Sequence, residues 1–269
     1  MLIDNKNMKD IALVIGGGGA KGLCGIGVID RLLELGADPD YIVGTSIGAM
    51  IGACVAYEYD TDYIKKIFKQ NLGKKFLKLL DINIINKSLI KGEKIEETFN
   101  VFFMGAKIEE LPKKFECVST KLIDGSRYVF SKGDLTKAVR ASISLPGVFE
   151  PVKEGDNYLI DGGVSSPVPI LRAVEKGYKK IIVINFLNHS KESNDPDLIK
   201  TLSASAIHIQ NNIFKEQLKE AKRKADIFLI EPDTSDKNIL DFFSIDSSFE
   251  YGRNLMDKKM NEIKSFLNH

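Results

Sequence analysis

Tyr41-Ile42-Val43-Gly44-Thr45-Ser46-Ile47-Gly48-Ala49 reads as a short apolar strand, a G-x-S-x-G turn and the start of a small-residue helix running to Tyr57. In such a turn the serine takes a strained strand-to-helix corner, which exposes its hydroxyl at the C-terminal edge of the strand. Glycine on either side lets neighbouring backbone approach without a Cβ clash. The pentapeptide also arises as plain turn chemistry, so the flanking strand and helix carry the weight, and both are present.

Upstream, Ile11-Ala12-Leu13-Val14-Ile15 is a continuous apolar run stopped by Gly16-Gly17-Gly18-Gly19, the pattern of a strand buried on both faces. From Gly22 the residues Leu23, Ile26, Ile29 and Leu33 recur at helical spacing, and Gly36 with Pro39 closes that helix. The β-α-β-α order continues downstream. Strands are expected at Phe115 to Thr120, Arg127 to Ser131, Tyr158 to Ile160, Ile181 to Asn185 and Ile227 to Ile230. Amphipathic helices are expected over Asp60 to Gln70, Ala204 to Lys224 and Phe249 to Leu267. The fold class is therefore α/β, a mixed sheet covered by helices. No linker, repeat or low-complexity tract interrupts it, so residues 1–269 are read as one domain.

The run Gly16 to Gly22 presents unshielded backbone N–H groups at a helix N-terminus, where the dipole favours negative charge. Two chemistries fit it. One is an oxyanion cradle, with Lys21 adding positive charge. The other is a dinucleotide site, because Gly17-x-Gly19-x-x-Gly22 satisfies that fingerprint. Against the second, the next strand ends in Gly44-Thr45-Ser46 where a ribose-binding acid is wanted, and Asp38 and Asp40 precede the strand. A Walker A loop is excluded, since Ala20 and Gly22 flank Lys21.

Asp161-Gly162-Gly163 puts a carboxylate at a strand end, beside glycines that permit close approach; alone it is an ordinary turn. A serine nucleophile needs a base, and the chain has only His189, His208 and His269. None adjoins a motif. A direct pair of Ser46 with Asp161 is therefore favoured, with His189 as the alternative base.

Composition narrows the partners. Lys plus Arg number 38 against 37 Asp plus Glu, a net charge of +1 that offers no field for polyanions, so nucleic acid is not expected. Cys24, Cys54 and Cys117 sit singly in apolar stretches, as reduced buried thiols do, and no ligand cluster for a metal surrounds them. Every apolar run is broken by charge before it reaches the roughly 18 to 20 residues of a membrane span, and no secretory signal is visible, which predicts a soluble cytoplasmic protein. Lys74 to Lys91 mixes lysines with Phe76, Leu77, Leu79, Leu80, Ile82, Ile84, Ile85, Leu89 and Ile90, the pattern of a lid or peripheral membrane contact and equally of a helix packed on a core.

The three motifs in this order, together with Ala141-Ser142-Ile143-Ser144-Leu145-Pro146-Gly147-Val148-Phe149-Glu150-Pro151, resemble the patatin-like phospholipases over about Ile11 to Val168. The resemblance implies a three-layer α/β/α sandwich with a mixed, mostly parallel sheet and a Ser–Asp dyad at the strand C-terminal edge. It implies acyl-ester hydrolysis of lipids without metal, nucleotide or other cofactor, with Ser46 as nucleophile and Asp161 as base. Backbone N–H groups of Gly17, Gly18 and Gly19 would hold the oxyanion. Lys21 stands where the family commonly has Arg, which keeps the charge but loses a planar fork of donors. Ala141 to Pro151 reads as architecture, a helix end and a loop; if it lines the acyl site, Leu145, Val148 and Phe149 are the apolar candidates. Two other classes stay open, a nucleotide-dependent oxidoreductase and a catalytically idle lipid-binding module.

Overall fold

The computed structural model describes residues 11–72, 92–187, 198–235 and 244–268. Its first strand, β1 (Ile11–Ile15), is buried at every position, as an apolar run between two covered faces requires. A 3₁₀ turn, Gly19–Leu23, leads into α1 (Cys24–Glu34), then β2 (Tyr41–Thr45), α2 (Ile47–Ala56), α3 (Thr61–Asn71) and α4 (Gly92–Phe103). Next come β3 (Lys114–Lys121), β4 (Arg127–Phe130), α5 (Leu135–Ser142), β5 (Val152–Glu154) and β6 (Asn157–Asp161). A further 3₁₀ turn, Gly162–Val164, precedes α6 (Ile170–Glu175), β7 (Lys180–Ile184), α7 (Leu198–Ala221), β8 (Asp226–Ile230), α8 (Ile245–Lys258) and α9 (Met260–Asn268).

Among the described residues, eight strands join one sheet along the hydrogen-bonded path β5-β6-β3-β2-β1-β7-β8, with β4 also on β3. Strands β3, β2, β1, β7 and β8 are parallel, whereas β4 and β6 run antiparallel to β3, and β5 to β6. The alternation of the central strand feeds two cores. Ile11, Leu13 and Ile15 pack with apolar residues of α1 to α5, α8 and α9, while Ala12 and Val14 pack with Ile170 and Ala173 of α6 and Phe214 and Ala221 of α7. These are the three layers expected. Each fully buried Leu, Ile or Phe contributes about 1.5–3 kcal/mol, which makes this two-sided burial the main source of stability.

The register of β3 brings the motifs together. Cys117 and Val118 pair with β2 on one side and with β4 on the other, and Ser119 and Thr120 pair with β4 and β6. A strand residue has only two sides, so β2 and β6 share the side that β4 leaves, end to end. Thr45 lies opposite Val118, and Asp161 opposite Ser119. The two strands run towards each other and their C-terminal residues meet at one seam.

Behind that seam, Glu116 is buried in β3 and accepts from Arg172 of α6 at 2.6 and 3.0 Å and from the Tyr41 hydroxyl at 2.8 Å, with Lys176 Nζ 2.8 Å away. Burial alone would raise its pKa, but these donors outweigh it and hold the carboxyl below the usual range.

Several elements depart from their sequence patterns. Leu33 is exposed, because the stripe Gly25, Val28, Ile29 and Leu32 faces the core and Leu33 falls beside it. The helix expected over Phe249 to Leu267 is two helices broken at Lys259, each with its own buried residues, Phe249 and Met256 in α8 and Ile263 and Leu267 in α9. Strand β5 and helices α4 and α6 are additions to the elements expected from the sequence. No helix among the described residues is long and apolar enough to cross a membrane. Lys74 to Lys91, the expected lid or membrane contact, lies outside the described residues.

Candidate active site

Ser46 stands between β2 and α2 with φ 56° and ψ −127°, a left-handed corner that costs a non-glycine residue on the order of 1–3 kcal/mol. Packing holds it there. A Cβ at Gly48 would come 2.2 Å from the Ile15 carbonyl oxygen, and one at Gly44 would come 2.3 Å from that of Gly48, so both glycines of the turn are required by backbone contact. Ser46 O accepts the first helical bonds of α2, from Ala49 at 2.9 Å and Met50 at 3.2 Å. Helix α2 itself is buried along its whole length, which anchors the corner against the sheet.

The Ser46 hydroxyl donates to Asp161 Oδ2 at 2.7 Å. Asp161 is 5 % exposed, and its other oxygen accepts the Gly163 N–H at 2.7 Å. Burial pushes its pKa up from the usual 3.8 to about 6, against the pull of the Ser46 hydroxyl and the Gly163 N–H. An ionised carboxylate in hydrogen-bond contact with a serine hydroxyl is placed to take its proton.

The glycine run passes beside this pair. A Cβ at Gly17 would lie 3.4 Å from Ser46 Cβ, so the loop runs at van der Waals distance from the serine. Gly17, expected among the oxyanion donors, gives its N–H to Pro167 O at 2.9 Å, as Gly16 gives its own to Ile184 O at 2.9 Å. These bonds fasten the loop to the sheet edge. The N–H groups of Gly18 and Gly19 have no partner among the described residues.

The remaining candidates divide. Lys21 is 5 % exposed and already engaged. Leu145 and Val148 are half-buried against the core edge. Phe149 is buried in the core cluster, with the Arg140 guanidinium 5.6 Å from its ring centroid. His189, the alternative base, lies outside the described residues. His208 is exposed on α7. Cys24, Cys54 and Cys117 are all buried, and burial raises the pKa of Cys54 and Cys117.

The stretch Ala141 to Pro151 carries more than architecture. Ser142 Oγ accepts the Ser46 N–H at 3.0 Å and donates to Val118 O at 2.6 Å. Ser144 O accepts the Asp161 N–H at 2.9 Å. Fully buried Arg140 donates to Ser144 Oγ at 2.6 Å and to Glu150 O at 2.9 Å, closing the turn after α5. Two serines and an arginine inside an otherwise apolar helix end were the visible signal, since buried polar groups demand partners.

Among known proteins, the chain is 31 % identical to an uncharacterized NTE family protein of Mycobacterium tuberculosis over 91 % of its own length and 45 % of that protein. It is 26 % identical to lysophospholipase NTE1 of Candida albicans over 95 % of its own length and 20 % of that protein. It thus spans less than half the length of these curated relatives. The crystal structure of VipD from Legionella pneumophila superposes with a TM-score of 0.59 at 14 % identity, covering 95 % of this chain and 67 % of that one, a likeness of fold. Residues 13–174 match the patatin-like phospholipases, a span that takes in the glycine run, the serine turn and Asp161-Gly162-Gly163. By that match, and on the α/β/α fold that carries those motifs to one seam, the chain belongs to the patatin-like phospholipase family.

Proposed function

We propose that the protein hydrolyses acyl esters of lipids, as a phospholipase A, lysophospholipase or carboxylesterase, through an acyl intermediate on Ser46. The observation that carries this reading is the 2.7 Å bond from the Ser46 hydroxyl to buried Asp161. Asp161 takes the hydroxyl proton as Ser46 Oγ attacks the ester carbonyl, and the N–H groups of Gly18 and Gly19 receive the developing oxyanion. Collapse of the tetrahedral intermediate breaks the ester C–O bond, and Asp161 returns the proton to the departing alcohol. Water then attacks acyl-Ser46, giving its proton to the same carboxylate, which returns it to Ser46 Oγ as the acyl–oxygen bond breaks and the fatty acid leaves. Each oxyanion donor is worth about 2.7–4 kcal/mol of barrier. Half-buried Leu145 and Val148 are the side chains proposed to meet the acyl chain.

The test is intact-mass detection of a covalent adduct after treatment with a lipid-like fluorophosphonate, wild type against Ser46→Ala. One adduct on wild type alone supports the reading; none on either defeats it and leaves a catalytically idle lipid-binding module.

A pH dependence follows from Asp161. The base works only when ionised, so kcat/KM is expected to fall tenfold per pH unit below about 6, the value to which burial raises its pKa. A pH–rate profile with its acidic limb near 4 would mean that Asp161 titrates as an ordinary carboxyl, without the upward shift that burial imposes.

A further inference from the structure

We propose that Ser142 is a positioning residue for the Ser–Asp pair, acting through the backbone of Ser46 at the seam where β2 and β6 meet; this rests on the reading of Ser46 and Asp161 as nucleophile and base. Val118 is the last β3 residue paired with β2, and Ser119 is the first paired with β6. At that changeover the Ser142 hydroxyl stands between the strands, donating to Val118 O and accepting from Ser46 N–H. A hydroxyl has one proton, and here it is committed to Val118, so a lone pair necessarily faces Ser46.

The seam has little freedom to rearrange. A Cβ at Gly162 would come 2.1 Å from Val118 O and 3.1 Å from Thr45 Cγ2, so the turn after Asp161 presses on the same carbonyl that Ser142 holds. The other strand end is tied to the same helix end, since the Asp161 N–H donates to Ser144 O. Arg140 braces that connection through Ser144 Oγ and Glu150 O. One helix end thereby grips the backbone of both reacting residues. Removing the Ser142 hydroxyl leaves the Ser46 N–H and one Val118 bond unmade and frees a corner already held at positive φ. The distance from Ser46 Oγ to Asp161 is then no longer enforced, and displacement by about 1 Å costs roughly 100-fold in rate.

The experiment measures the rate constant of fluorophosphonate acylation, and kcat and KM on a soluble ester, for wild type, Ser142→Ala and Ser142→Cys. Thr136→Ala, buried on the same helix, serves as the packing control. Expected is a fall in acylation rate and kcat of about tenfold or more in Ser142→Ala with KM within about twofold, and a smaller fall in Ser142→Cys, whose sulfur is a weaker acceptor. Thr136→Ala should acylate as wild type does. A folded Ser142→Ala or Ser142→Cys acylated at the wild-type rate overturns the assignment while leaving the Ser–Asp reading intact. Failure of both to fold makes Ser142 a folding residue and overturns it equally. A wild type that takes no label removes the Ser–Asp reading itself, and this inference with it.

Discussion

Asp161→Asn is expected to lower kcat/KM by about 10⁴-fold and, at pH 7, to make the protein more stable. The loss follows from geometry, because the amide presents no basic oxygen to the Ser46 hydroxyl, whose contact in the wild type is the 2.7 Å bond to Oδ2. The gain follows from the sign of the linkage. Burial holds the folded-state pKa at about 6, above the usual 3.8, so the protonated carboxyl is the form that folding favours. The stability this contributes is fully present below about pH 4 and is lost as pH rises through about 6. At pH 7 the ionised group therefore costs on the order of 3 kcal/mol, at 1.36 kcal/mol per pKa unit, which a neutral Asn avoids. Asn also fits the existing partners, its oxygen accepting from Gly163 and its amide donating to Ser46. Denaturation midpoints at pH 4 and pH 7 check the argument: the variant should exceed wild type at pH 7, with the difference narrowing at pH 4. Ser46→Ala should be equally inactive, and His189→Ala should turn over normally. Activity retained in Asp161→Asn and lost in His189→Ala would assign the base to histidine.

Gly252→Ala is expected to destabilise the protein by about 3 kcal/mol or more, although the site is remote in sequence from every motif. Helices α1 and α8 cross at backbone contact. A Cβ at Gly252 would lie 2.1 Å from Cys24 O and 2.8 Å from Val28 N, and one at Gly27 would lie 1.9 Å from Phe249 O. The obstructing atoms are main chain, so no side-chain rotation relieves them. Around the contact, Arg253 pairs with Glu34 at 3.0 Å and also with Asp30, and Arg31 pairs with Asp257 at 2.6 Å, bonds that resist the helices moving apart. Helix α1 begins where the glycine run ends, so separating it from α8 also displaces the N–H groups of Gly18 and Gly19. The variant should show both a lowered chemical-denaturation midpoint and slower acylation of its folded fraction. A midpoint equal to wild type would mean that the crossing is looser than these distances.

Much of this was open to reading in one dimension, for reasons that differ by element. Strands β1 and β2 are continuous apolar runs ended by glycine, and two-sided burial leaves them no other pattern. The serine turn is a local conformation, encoded by Gly44 and Gly48 around Ser46. Helix ends were less legible. Asp60 caps α3 by accepting from Asp62 N at 2.8 Å, a signal visible in sequence, whereas the break at Lys259 has no glycine or proline and is set by where Ile263 and Leu267 find the core. The orientation of Phe149 is not legible locally, since an apolar side chain beside a motif is turned by packing, which here sets it in the core with Arg140 over its ring.

By itself the sequence determined the chemistry available to this protein. It named Ser46, Asp161 and the glycine run, and with only three histidines, none beside a motif, it favoured a carboxylate base. The tertiary structure alone decided which of those groups meet and which are already spent. Residues 46 and 161 stand 115 positions apart and touch because β2 and β6 end at the same point of β3. The Gly17 N–H is consumed by Pro167, and the Ser142 hydroxyl by Ser46 and Val118. The reason is physical: residue types and local turns follow from short-range sterics, whereas hydrogen-bond partners distant in sequence follow from strand register, which is set by burying the whole sheet at once.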